Sequence, residues 1–352
     1  MFIRYILLFC ILSIILFSIN ESGKSPSKKD LLKYNNLSYF YDGKFHNIYQ
    51  SIYGFKKLER FGIVEKEYNN FNNFQNKNKL TIKPIFNDVP DYFSVYWLGH
   101  SNIIFELSNK RIIVDPVFGN GLPVPFLSFR WVKSPIKIDE LPKIDYVLIT
   151  HNHYDHLERK TIKFLKNKVS KFIVPLGVDV ILKSWGVKSD KIVALGWGDK
   201  IKLNNIVVNA EPAIHFSGRF LLDGNKTLWN SYVLQILESE KIKKQIFCAG
   251  DGGYGEHIDY IAKKYKSSFD LMAIEIDAWN WKWPYIHMFP QEVIEVAKKL
   301  NTKYILPVHY GVFPLGMHKR YTSLNIVTEL AKKEKIIEKL LIPAIGEKTT
   351  IK

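Results

Sequence analysis

"LITHNHYDHLERKTI", Leu148 to Ile162, places three histidines and an aspartate within six positions, directly after an apolar run. Imidazoles and a carboxylate make a poor core and an ordinary surface, but together they are good ligands for a metal such as zinc. In extended chain His151 and His153 point to the same side and can reach one ion. The adjacent pair Asp155 and His156 can reach a second. A lone histidine is most often a hydrogen-bonded core or loop residue. Nothing structural rewards this clustering, so the metal reading prevails here.

Further polar residues end apolar runs elsewhere in the chain. His215 follows "NAEPAI", Asp251 follows "IFCAG" and His309 follows "ILPV". Loops at the C-terminal ends of sheet strands can converge on one rim over a rigid floor. Convergence of His151, His153, Asp155, His156, His215, Asp251 and His309 supplies two metal sites, and the two oxygens of Asp251 can serve both.

Regular structure is expected from Phe93 onwards. "FSVYWLG", "NIIFELS" and "KRIIVDP" are short apolar blocks punctuated by turn residues, as in an antiparallel meander. "IDYVLIT", "KFIVPLG", "NIVVNAEPAIHF", "TLWNSYVLQIL", "KQIFCAGD", "FDLMAIEI" and "KYILPVHYG" read as further strands. Helical spacing appears in "LERKTIKFLKNK", in "VDVILKSWG" (closed by Gly186), in "EHIDYIAKKYK", in "PQEVIEVAKKL" with Pro290 at its start, and over about 321–335. A terminal strand closes the chain. Strands first in a meander and then alternating with helices predict an α/β fold of four layers, an αββα sandwich.

The motif "THNHYDHL" resembles that of the metallo-β-lactamase superfamily. "WLGHSNIIFEL", "DPVF", "AGDGGY", "HMFPQEVIEVAKKL" and "ILPVHYGVF" are similar to one branch, the N-acyl-phosphatidylethanolamine-hydrolysing phospholipase D family. The similarity runs from about Phe45 to Phe313. It implies two zinc ions per chain, one held by His151, His153 and His215, the other by Asp155, His156 and His309, with Asp251 between them. It also implies that Asp115, in "VDPVF", orients a ligand histidine. Asp155 and His287 are the residues expected to act in catalysis, His287 as proton donor near the scissile group. The implied reaction is phosphodiester hydrolysis of a glycerophospholipid, to phosphatidic acid and an N-acylethanolamine, by a hydroxide that the two zincs activate. A homodimer is a further implication. Two departures stand out: Gly252 replaces a threonine that usually follows the bridging aspartate, and "DAWNWKWPYI" diverges ahead of His287.

With 352 residues, 47% of them hydrophobic, the chain can bury one large core, and its formal charge of +16 suits an anionic surface. Much of that charge lies in helix-like stretches such as "AKKYKSS", where a solvated face accounts for it. No basic strip with interleaved aromatics is present, so no nucleic-acid partner is expected. Cys10 and Cys248 provide no disulfide framework. Arg4 and an apolar run from Tyr5 to Ile19 read as an uncleaved signal anchor over 1–20, with a cleaved signal peptide as the second choice. Residues 21–40 read as a polar linker, 41–90 as an irregular extension packed on the core, and 91–352 as the catalytic domain. The protein is expected to be membrane-associated and to meet its phospholipid substrate there. The alternatives are another hydrolase on the same scaffold (lactonase, UlaG-like enzyme or nuclease) and a non-catalytic, membrane-tethered zinc-binding protein.

Overall fold

The computed structural model describes residues 17–50, 81–122, 130–220, 222–266 and 268–351. A short hairpin, β1 (Phe40–Tyr41) and β2 (Lys44–Phe45), precedes the main body. Next come β3 (Phe93–Trp97), β4 (Ile103–Leu107), β5 (Lys110–Val114), β6 (Tyr146–Leu148), α1 (Arg159–Leu165), β7 (Lys171–Pro175), α2 (Val178–Ser184) and β8 (Ile192–Leu195). The second half holds β9 (Lys200–Leu203), β10 (Ile206–Glu211), β11 (Ser231–Glu238), β12 (Lys241–Cys248), α3 (Glu256–Tyr265), β13 (Leu271–Glu275), α4 (Pro290–Lys299), β14 (Tyr304–Val308), α5 (Thr322–Lys333) and β15 (Lys348–Thr350).

Two mixed sheets result, in the orders β15-β3-β4-β5-β6-β7-β8 and β14-β13-β12-β11-β10-β9. In the first, β5, β6, β7 and β8 run parallel. In the second, β12, β13 and β14 run parallel. Period-two alternation divides the first sheet between two cores. Val95, Trp97, Phe105, Ile112 and Leu148 join Val208, Leu234 and Phe247 of the second sheet in one apolar cluster. Tyr96, Ile104, Ile113, Val147 and Phe172 face the other way, onto Ile162 and Leu165 of α1 and Ile181 and Leu182 of α2. Ile258, Ile261, Val293, Val296 and Val327 bring α3, α4 and α5 onto the second half. Facing sheets with helices outside are the architecture that the strand and helix pattern predicts.

The sequence reading assigns nothing to β8 and β9. Each is four residues long and lies at a sheet edge. In β9 lysines alternate with apolar residues and only Leu203 is buried, too weak a pattern to register.

The N-terminal expectations need one correction. Residues 21–40 are no free linker: Ser27 and Asp30 form a capping box for the turn Lys28–Leu31. Leu31, Tyr34, Tyr39, Phe40 and Phe45 then bury themselves with Trp229 and Leu228 of the main body. Their apolar area outweighs the polar residues between them, and spacing alone did not reveal it. Residues 17–22 are helical. The remainder of the expected anchor, residues 1–16, lies outside the described residues, as do 51–80 of the extension. Among the described residues, no helix is long and apolar enough to cross a membrane.

Candidate metal centre

Parallel strands end on the same side, so the residues that follow them meet at one rim. Asp115 follows β5, His151 follows β6 by way of Ile149 and Thr150, Asp251 follows β12, Glu275 ends β13 and His309 follows β14. At Gly250 (φ +63) an added Cβ would come within 2.9 Å of the Thr150 side chain, so glycine lets the two sheets approach at the site.

His151, His153 and His215 form one group whose nitrogens converge. His151 Nε2 lies 2.8 Å from His153 Nδ1, which lies 3.4 Å from His215 Nε2. A second group gathers Asp155, His156 and His309 together with His100. His156 Nε2 and His309 Nε2 lie 3.1 Å and 3.0 Å from Asp251 Oδ2. His151, His156 and Asp251 also stand within reach of a single ion. All seven residues expected to hold metal therefore come together, with Asp251 beside both sets.

These residues suit cations. His156 Nε2, His309 Nε2 and Asp251 Oδ1 are buried and have no hydrogen-bond partner, which is costly unless something else satisfies them. The donor set, imidazole nitrogen and carboxylate oxygen, is that of zinc and related divalent metals.

Outer contacts aim the ligands. Asp115 accepts from Thr150 N at 2.8 Å, from Thr150 Oγ1 at 2.6 Å and from His156 Nδ1–H at 2.7 Å. His156 is thereby left with a bare Nε2 facing the centre, the orienting role that the resemblance implies for Asp115. Asp115→Asn is expected to weaken metal binding about 10–100-fold, measured by competition with a chromophoric chelator. Unchanged affinity would rule out the orienting role. His215 is held through its backbone by Asn47, at 2.9 and 3.2 Å, and donates its Nδ1–H to Ile286 O at 3.1 Å. Residues 44–48, "KFHNI", thus reach the centre through Asn47.

Two residues at the rim escaped the sequence reading. His100, in the turn between β3 and β4, is buried. Its Nε2 lies 3.0 Å from Asp155 Oδ2, and its carbonyl accepts His309 N–H at 3.1 Å. The signal existed: β4 is antiparallel to β5, so the β3–β4 turn must share the rim with Asp115. Glu275 contacts His287 (Nδ1 to Oε2, 2.5 Å). A glutamate ending the apolar run "LMAIE" carried the same strand-end signal as Asp251.

Charge in the metal-free site follows from burial. Burial first, then like-charged neighbours, lower His151 and His215. Burial likewise takes His153 to about 4 and His100 to about 3. Burial also opposes charge on His309, but Asp251 and Asp155 outweigh it and raise the group to about 10. Deep burial pushes the Cys248 thiol up to about 12, so it is no nucleophile.

A pH dependence follows. His100, His151, His153 and His215 are depressed in the folded chain, so between pH ~6.5 and ~4 the unfolded state binds more protons. The metal-free protein is expected to lose stability with falling pH across that window, by about 1.4 kcal/mol per pH unit for each histidine still neutral. His309 acts oppositely: its contribution is complete below pH ~6.5 and is lost only as pH rises through about 10. Urea midpoints measured from pH 7 to 4 test this, and a flat profile would refute it.

Two facing mixed sheets with a histidine-rich rim define a metal-dependent hydrolase of mixed α/β build. The chain belongs to the β-lactamase superfamily, whose domain profile matches residues 110–310. An uncharacterised Mycobacterium tuberculosis protein is 33% identical over 71% of this chain and 67% of its own length. The N-acyl-phosphatidylethanolamine-hydrolyzing phospholipase D 1 of Caenorhabditis elegans is 29% identical over 74% of this chain and 78% of its own. A metallo hydrolase from the archaeon Ignicoccus hospitalis shares the fold at a TM-score of 0.57, with 20% identity over 74% of this chain and 98% of that one.

Proposed function

We propose that this hydrolase is a zinc-dependent phosphodiesterase of phospholipase D type, acting on N-acyl-phosphatidylethanolamine-like glycerophospholipids at a membrane surface. The observation that carries the reading is that Asp251 groups with His151 of one ligand set and with His156 and His309 of the other, with His287 in reach as well. The Caenorhabditis relative supports the substrate class. His151, His153 and His215 would hold one zinc, Asp155, His156 and His309 the other, and Asp251 both. Bound in this way, two zincs would supply an activated water and positive charge beside the phosphate.

The chain's own residues do the rest. His287, between His215 and His309 (ring centroids 5.4 and 5.5 Å away), presents Nε2 to the centre and holds the proton for the leaving alkoxide. Apolar groups surround the approach: the Phe216 ring lies 4.5 Å from that of His153, and Phe216, Phe220 and Leu222 are exposed on one loop. A separate cleft of about 1120 Å³ is lined by Phe118, Phe164 and Lys133, Lys137 and Lys160, together with the acidic Asp139, Glu140 and Glu158.

The test is mass spectrometry of lipids after incubating zinc-loaded protein with N-acyl-phosphatidylethanolamine, with and without chelator. Chelator-sensitive release of phosphatidic acid and N-acylethanolamine is expected. No release, alongside turnover of a cyclic or nucleic phosphodiester, would overturn the substrate. Deleting residues 1–20 is expected to move the protein from the membrane pellet to the soluble fraction; continued pelleting would transfer that role to the exposed loop.

A further inference from the structure

A carboxylate sits behind the proton donor. Glu275 is fully buried at the end of β13, where a charge is costly unless fully paired. Its partners are all on the metal rim. Oε2 accepts His287 Nδ1–H at 2.5 Å. Oε1 accepts Gly252 N–H at 2.9 Å and Met288 N–H at 3.3 Å. Glu275 thus ties the residue after Asp251 to the loop carrying His287, and that same loop supplies the Ile286 carbonyl that orients His215.

Glu275, Asp251, His287 and His309 also stand close enough together to hold an ion, so the glutamate has two candidate roles. The hydrogen bonds favour positioning. Oε1 accepts two N–H donors and Oε2 the His287 Nδ1–H, whereas Asp251 Oδ1 has no partner. A ligand needs a free lone pair aimed at the metal, and Asp251 offers one.

We propose that Glu275 is a positioning residue for the hydrolysis: it fixes the Nδ1–H tautomer and the orientation of His287, and locks the proton donor to the Asp251 loop as one unit. The inference rests on the phosphodiesterase reading for what His287 does, but not for how His287 is held. In the step itself, the P–O bond to the leaving group breaks as its oxygen takes the proton from His287 Nε2. A neutral imidazole remains with its hydrogen on Nδ1, facing Glu275. The attacking water ends with one proton fewer, and that proton returns Nε2 to its starting state. A histidine of the other tautomer would hold hydrogen on Nε2 alone and turn a lone pair towards the carboxylate, a repulsive contact.

The experiment compares the zinc-loaded wild-type chain with Glu275→Gln, both labelled with ¹⁵N-histidine. His287→Gln identifies the His287 resonances by their loss. In wild type, His287 is expected as the Nδ1–H form at pH values where it is neutral. In Glu275→Gln a single amide oxygen must serve three N–H groups and the amide NH₂ offers Nδ1 a donor, so the Nε2–H tautomer should appear. Zinc content should stay at its wild-type value, and kcat on the lipid should fall about 100-fold with KM within about threefold. Loss of zinc in Glu275→Gln would overturn the proposal that Glu275 acts through His287 alone; so would an unchanged tautomer. If Glu275→Gln does not fold, Glu275→Asp, which keeps the carboxylate but withdraws it, serves: partial loss of the Nδ1–H form is expected, and full retention overturns the proposal. Absence of lipid turnover by wild type would defeat the substrate reading alone, since the tautomer is read without substrate.

Discussion

Asp251→Asn is expected to abolish hydrolysis and to lower the metal content of the purified protein. Asp251 Oδ2 lies within 3.1 Å of both His156 Nε2 and His309 Nε2, and its Oδ1 has no hydrogen-bond partner. An asparagine of the same shape removes the negative charge between two cation sites and turns an NH₂ group, a donor with no lone pair to give, towards one of them. Changes in residues that merely orient ligands cost about 10–100-fold, so loss of a shared ligand is expected to exceed that, at about 10³-fold or more in kcat. Elemental analysis after dialysis, together with the lipid assay, provides the measurement. Full metal content with activity within tenfold of wild type would remove Asp251 from the centre.

Arg219→Met is expected to produce the largest loss of stability, about 3–5 kcal/mol. The guanidinium is buried and donates to the carbonyls of Asn152 at 2.8 Å, Leu157 at 2.7 Å and Glu21 at 2.9 Å. It also lies 3.9 Å from the Tyr154 ring centroid. Asn152 lies within the ligand cluster and Leu157 directly after it, so one side chain braces the metal loop from behind and ties it to the N-terminal segment. Burial lowers Arg219 to about 10, which still leaves it charged at neutral pH. Methionine fills part of the volume but takes the guanidinium donors from two buried carbonyls and one half-buried carbonyl. Urea denaturation measures the cost, and a shift below about 1 kcal/mol would contradict it. Because the brace spans the ligand loop, metal affinity should fall in parallel with stability.

The residues that gather at the rim were legible in the sequence because strong apolar runs precede His151, His215, Asp251 and His309, and because histidines and carboxylates in alternation have few structural uses. Arg219 was not legible. A lone arginine in "HFSGRFLLDG" carries no periodic signal, and its three acceptors lie 62, 67 and 198 residues away in sequence. The folding of Leu31 and Tyr34 onto Trp229 escaped for the same reason, since it depends on a partner surface made by distant loops.

Local spacing and strand-end chemistry determined the α/β class, the order of most elements and the seven residues of the metal rim. Those features depend on period-two and period-3.6 burial and on the kind of donor atom, both written along the chain. Only the tertiary structure decided which atom of each ligand is free, that His100 and Glu275 join the rim, and that the segment after residue 20 is packed rather than loose. Hydrogen bonds between residues far apart in sequence settle such matters, because a buried polar atom must be satisfied by whatever the fold brings to it.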